Sequence, residues 1–144
     1  MNLDIKITKW IKYMPTPLNH SITVEGLYEC LKRIDVPNLL LIQFSAPWCG
    51  PCRSIQSLCQ EKILDLPDNV HTIQMDIDAH MDLYMFLKKK KMLKGIPSLL
   101  VWYPCEDRDM DVWYIPSDSV LSSNLSDVNA FFVRCKEKAK QLCK

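Results

Sequence analysis

Two thiols, Cys49 and Cys52, stand two residues apart in the stretch SAPWCGPCRSIQ, with Gly50 and Pro51 between them and Trp48 in front. A pair at this spacing can bind a metal, staple a fold or exchange electrons. A structural zinc site needs about four ligands in paired spacing. The chain offers no second close cysteine pair. Cys135 and Cys143 lie eight residues apart on an expected helix, and His20, His71 and His80 fall in no ligand pattern. No metal is therefore expected. A disulfide scaffold belongs to smaller, secreted chains with an even set of cysteines, whereas this chain has 7.

The redox reading explains more of the local sequence. Pro51 has no backbone N–H to donate, which suits the first turn of a helix. A helix N-terminus offers free N–H groups and a positive dipole end, and both stabilise a thiolate, the reactive form. Cys49, nearer the exposed tip, is then expected to attack a target disulfide. Cys52, one turn in, is expected to resolve the mixed disulfide.

The elements that must position this pair are legible from periodicity. The run LLLIQFSA, residues 39–46, is nearly continuously apolar, as in a strand buried on both faces. A helix should begin at the cysteines and run to about Leu66. Upstream, Thr23 is expected to cap a helix whose apolar positions are Val24, Leu27, Tyr28, Leu31 and Ile34, with Pro37 and Asn38 ending it. Downstream, VHTIQMDID (70–78) alternates like a strand, and AHMDLYMFLKKKKML (79–93) reads as a helix with a lysine-rich end. SLLVWY and DVWYI read as two strands of a hairpin around a polar loop, 104–110. A last helix opens at Ser126 or Asp127, with Val128, Phe131, Phe132, Cys135, Ala139 and Leu142 on one stripe. A short strand is expected near Leu18–Ile22. Leu3, Ile7, Trp10, Ile11 and Met14 favour a helix in an N-terminal extension, residues 1–17, ahead of a single domain at 18–144. The alternation of β and α elements followed by a hairpin predicts an α/β fold: a mixed sheet with helices on both faces.

WCGPC at 48–52 resembles the active-site motif of the thioredoxin family, and the order of elements resembles the thioredoxin fold. KGIPSLL at 94–100 is similar to the family's second landmark, a loop whose proline is cis. The resemblance covers roughly residues 18–142. It implies a cis Pro97 preceded by Ile96, facing the cysteines and holding an extended substrate segment by its backbone. Trp48, Gly50 and Pro51 would flank that groove. It further implies a protein-disulfide oxidoreductase that exchanges with protein disulfides. Re-reduction would come from a flavoprotein thioredoxin reductase using NADPH. The chain has no nucleotide-binding motif of its own, so no bound cofactor is expected beyond the redox-active disulfide.

Several positions depart from the family pattern. The family carries a buried aspartate six residues before the first cysteine, which takes the resolving cysteine's proton; here that residue is Gln43. A lysine in the next strand often partners it; the matching residue is Gln74. An amide cannot relay a proton by ionising, and a missing carboxylate favours thiolates. A reduction potential less negative than an ordinary thioredoxin's is expected. The span from Asp78 to Pro97 is longer than usual by about one helical turn, and its end, KKKKMLK, forms a basic patch. The glycine expected after the last strand is missing, and Pro116 falls near its place. The polar loop PCEDRDMD is longer than the family's turn. Cys30, Cys59 and Cys135 lie on apolar helix faces and are expected in the core. Cys105 and Cys143 are expected at the surface.

Global properties narrow the class. With 144 residues, 48% apolar and 24% charged, the chain suits one globular domain. A net charge of +1 gives no reason to expect nucleic acid or an anionic membrane as partner. No apolar run reaches the roughly 20 residues a membrane span needs, and Asp4, Lys6, Lys9 and Lys12 interrupt any secretory signal. A cytoplasmic, reducing location is the expectation, compatible with packaging into a virus particle or organelle. Two other functions stay open on sequence grounds. One is a disulfide donor in assembly, favoured by Gln43 and opposed by the Gly-Pro pair. The other is a binding or adaptor subunit with incidental redox activity.

Overall fold

The computed structural model describes residues 22–105 and 107–144. The helix expected within residues 1–14, and nearly all of the strand expected at 18–22, lie outside the described residues. Ile22 itself is buried and non-helical, just ahead of the first described helix.

That helix is α1, Val24–Arg33. Thr23 caps it as expected, its hydroxyl accepting the Gly26 N–H at 2.9 Å. Strand β1, Leu39–Ser45, leads to helix α2, Gly50–Asp65, which returns the chain to strand β2, Val70–Asp76. Helix α3, Met81–Lys89, strand β3, Ser98–Trp102, strand β4, Asp118–Val120, and helix α4, Leu125–Leu142, complete the fold. The sheet order is β2-β1-β3-β4. β1 and β2 are parallel, which requires the α2 crossover. β1–β3 and β3–β4 are antiparallel.

β1 lies inside the sheet, and its first six residues are buried. Its alternate side chains feed two separate cores. Leu40, Ile42 and Phe44 pack with α1 and α3 residues such as Leu27, Leu31, Leu83 and Leu87. Leu39 and Leu41 pack with Ile55 and Cys59 of α2 and with Val128, Phe131, Phe132 and Cys135 of α4. The helices therefore cover both faces. A strand with apolar residues on both of its faces is stable only in such a sandwich. Each fully buried Leu or Phe contributes about 1.5–3 kcal/mol relative to exposure.

The second strand of the expected hairpin is displaced. DVWYI, residues 111–115, is not a strand. Met110–Val112 forms a short 3-10 turn in which Asp109 accepts the Asp111 N–H. Trp113 then stacks on Phe86 with ring centroids 5.6 Å apart and meets Tyr28 edge-on at 5.4 Å. Tyr114 meets Phe86 edge-on at 5.7 Å. These rings bind the segment across α1 and α3 instead of along β3. Pairing with β3 resumes only past Pro116, where the Ser117 N–H reaches the Val101 carbonyl at 2.8 Å.

Smaller differences lie at the helix ends and turns. α4 is capped by Asn124, whose side chain accepts the Asp127 N–H at 3.0 Å, so the helix begins ahead of Ser126. Pro116 precedes β4, and the loop after β4 is Leu121–Asn124. α3 spans 9 residues and ends at Lys89, so the rest of the lysine run lies in a turn where Lys91 has φ 65°. Lys90 rests over the Tyr114 and Phe86 rings at 5.3 and 5.8 Å from their centroids. Among the described residues no helix is long and apolar enough to cross a membrane, and no group of three or more His, Cys, Asp or Glu is placed to hold a metal.

Candidate active site

β1 ends at Ser45, and the chain turns sharply through Ala46-Pro47-Trp48. The turn is closed by the Cys49 N–H on the Ala46 carbonyl at 3.1 Å. Cys49 is the N-cap of α2 with extended backbone angles, and its sulfur accepts the Cys52 N–H at 3.1 Å. Pro51 occupies the first turn, where its missing donor costs nothing. The sequence thus places one sulfur on the free N–H groups of a helix start, the environment that favours a thiolate in the reduced protein. In this structure Cys49 and Cys52 are joined as a disulfide, with Cα atoms 5.2 Å apart.

The surroundings are asymmetric. Trp48 is 63% exposed and is held by its indole N–H, which donates to Asp78 Oδ2 at 2.6 Å. Arg53 donates to the Pro47 carbonyl at 2.9 Å and braces the same turn. Gly50 and Pro51 are exposed beside Trp48. The Ile96–Pro97 peptide is cis. Pro97 is buried, and Ile96 packs against the core cluster that also contains Cys49 and Cys52. Cys49 is not the more exposed thiol expected from its place at the tip: with the disulfide closed, Cys49 and Cys52 are 4% and 7% exposed, so both are buried.

Behind the disulfide lies a cleft of about 370 Å³, lined among others by Cys52, Gln43, Gln74, Gln56, Asp76 and Cys59. Gln43 and Gln74 are register partners on β1 and β2, and the Gln74 amide donates to Gln43 Oε1 at 3.0 Å. Gln43 is buried, but Gln74 is exposed, so the pair spans the border of the core and does not lie wholly inside it. The sequence reading did not single out Asp76, Asp78, Arg53 or the place of Cys59 in this cleft. Alternation offered a signal for Asp76, because it lies two residues beyond Gln74 and so on the same sheet face.

The other thiols are placed as expected. Cys30, Cys59 and Cys135 are buried, and Cys105 and Cys143 are exposed. Burial pushes the Cys30 and Cys135 thiols up to about 12 and Cys59 to about 11, from an ordinary 9.0. They are neutral near pH 7 and unreactive as nucleophiles.

A Cys-Gly-Pro-Cys disulfide at a helix start, after a buried strand of a mixed sheet sandwiched by helices, defines a thiol–disulfide oxidoreductase. The comparisons carry this further. The family model described as thioredoxin matches residues 29–112, more than half of the chain. A thioredoxin of Rickettsia bellii is 26% identical over 101 residues, covering 70% of this chain and 90% of that protein. A thioredoxin H-type of Ricinus communis is 37% identical over 86 residues, covering 51% and 72%. The oxidised mitochondrial thioredoxin 3 of Saccharomyces cerevisiae superposes with a TM-score of 0.55 at 20% identity, covering 78% of this chain and 90% of that one. The chain belongs to the thioredoxin family.

Proposed function

We propose that the chain reduces protein disulfides, with Cys49 as nucleophile and Cys52 as resolving thiol. The Cys49 thiolate attacks one sulfur of a target disulfide, and the other sulfur leaves as a thiolate. The Cys52 thiolate then attacks Cys49 Sγ, the bond from Cys49 to the target breaks, and the second target sulfur departs. Two electrons pass to the target, and the Cys49–Cys52 disulfide is left behind. The observation that carries this assignment is the cap: Cys49 Sγ accepts the Cys52 N–H at the start of α2. Trp48, Gly50, Pro51, Ile96 and Pro97 form the groove for the target segment in this reading. Electrons return from a dithiol donor, for which a thioredoxin reductase is the fitting class, and the exchange needs no cofactor besides the disulfide.

A second reading, in which the protein donates disulfides, is favoured by the Gln43–Gln74 amide pair, because no buried carboxylate opposes thiolate formation there. Insulin reduction with dithiothreitol, wild type against Cys49→Ser, tests the first reading, and loss of activity in the variant is expected. A redox titration decides the direction. A potential near that of a strong oxidant would favour the second reading.

A further inference from the structure

We infer that Asp76 receives the proton that Cys52 must lose before it resolves the mixed disulfide, an inference that rests on the resolving role proposed for Cys52. Gln43 is buried beside Cys52 in the cleft behind the disulfide and cannot ionise. The resolving step still requires a proton acceptor near Cys52, since the thiolate and not the thiol is the nucleophile. Asp76 supplies the one carboxylate lining that cleft.

Its place follows from the sheet. Asp76 is paired in register with Ser45, as Gln74 is with Gln43. Two residues along a strand restore the same face. Asp76 therefore lies one pair beyond the amide bridge, toward the end of β1 from which the turn to Cys49 departs. One carboxylate oxygen, Oδ1, accepts the Asp78 N–H at 3.0 Å, which fixes the side chain. Among the described residues Asp76 joins no ion pair. A cleft of about 370 Å³ has room for several waters, each needing about 30 Å³, so a proton can pass from Cys52 to Asp76 through solvent.

The step balances. The Cys52 thiol gives its proton through water to the Asp76 carboxylate, forming a thiolate and a carboxylic acid. The thiolate bonds to Cys49 Sγ, the bond from Cys49 to the target breaks, and the departing target sulfur takes the electron pair. The proton returns from Asp76 to that thiolate or to solvent. Other ionisable groups around the cleft belong to α2 and to the turn after β2. Arg53 is engaged with the Pro47 carbonyl, Asp78 with Trp48, and Cys59 is buried. β1 contributes only Gln43 and Ser45 as polar side chains.

The test mixes reduced protein with an aromatic disulfide whose thiolate is coloured. The first thiolate released reports attack by Cys49, and the second reports resolution by Cys52. Asp76→Asn and Asp76→Ser both retain an acceptor for the Asp78 N–H and both lack the carboxylate. They are expected to slow the second release about tenfold near neutral pH, within the range of general base catalysis. The first release should be unchanged. With the carboxylate gone, resolution depends on hydroxide to form the Cys52 thiolate, so the deficit should be largest near neutral pH and shrink in alkali, and Asp76→Glu should restore the wild-type profile. Second phases identical to wild type in rate and pH profile would overturn the inference, as would a slowing that is equal at every pH. Absence of the first release in wild type would instead overturn the assignment of Cys49 and Cys52.

Discussion

Gln43 and Gln74 face each other across the parallel β1–β2 pair, and the Gln74 amide donates to Gln43 Oε1 at 3.0 Å. Two neutral groups here leave the redox cysteines without a buried charge beneath them. Gln43→Asp is expected to reverse that. A carboxylate at this site opposes a Cys52 thiolate, favours the disulfide and makes the potential more negative by about 30 mV or more, equivalent to about 1.4 kcal/mol. Equilibrium titration against a glutathione or dithiothreitol couple measures the shift. An unchanged or less negative value contradicts the account.

The same variant carries a stability signature. Burial raises the folded pKa of the introduced carboxyl above its unfolded value of about 3.9. Below that pH the group is neutral in both states and the variant resembles wild type. As pH rises, the unfolded chain gives up its proton first, so the variant loses stability until the raised folded pKa is passed. A deficit of about 1–3 kcal/mol at neutral pH is expected from urea unfolding. A deficit that is constant with pH would contradict burial of the charge.

The buried thiols set an alkaline limit. Cys30 and Cys135 titrate at about 12 and Cys59 at about 11 when folded, against an ordinary 9.0. Between pH 9 and 11 the unfolded chain loses these protons while the folded chain keeps them, so stability falls as pH rises. The urea midpoint should decline through this window at constant ionic strength, and less steeply in Cys59→Val. A midpoint that is flat from pH 9 to 11 would contradict the burial of these groups.

Asn69 is a fastener distant from the chemistry. Its amide donates to the Pro37 carbonyl at 2.6 Å and to the Ala139 carbonyl at 3.0 Å, tying the turn before β1 to α4. Asn69→Ala strands both carbonyls and is expected to cost about 1–3 kcal/mol in urea unfolding. The reduction potential should stay at the wild-type value. A shifted potential would couple this fastener to the site and contradict the separation drawn here.

Much of this architecture was legible in the sequence because it rests on local rules. The nearly continuous apolar run from Leu39 made β1 a doubly buried strand, and Pro51 behind Cys49 marked a helix start. Thr23 and the stripe from Val128 to Ala139 declared their helices in the same way. The segment at 111–115 misled because Val112, Trp113, Tyr114 and Ile115 are strand-forming residue types that follow a polar loop. What decides its conformation is non-local: the rings of Tyr28 and Phe86, far away in the chain, provide the surface on which Trp113 stacks. Asp76 was overlooked for a related reason. Its nearness to Cys52 exists only once β2 lies parallel to β1 in this register and α2 closes over the cleft.

The most direct test of the central claim is capture of the mixed disulfide. Reduced Cys52→Ser and Cys49→Ser variants are incubated with a disulfide-bonded protein such as insulin, quenched with acid and read by intact mass and peptide mapping. The account predicts a stable adduct through Cys49 in Cys52→Ser and little or none in Cys49→Ser. An adduct through Cys52 in Cys49→Ser, with none in Cys52→Ser, would contradict it.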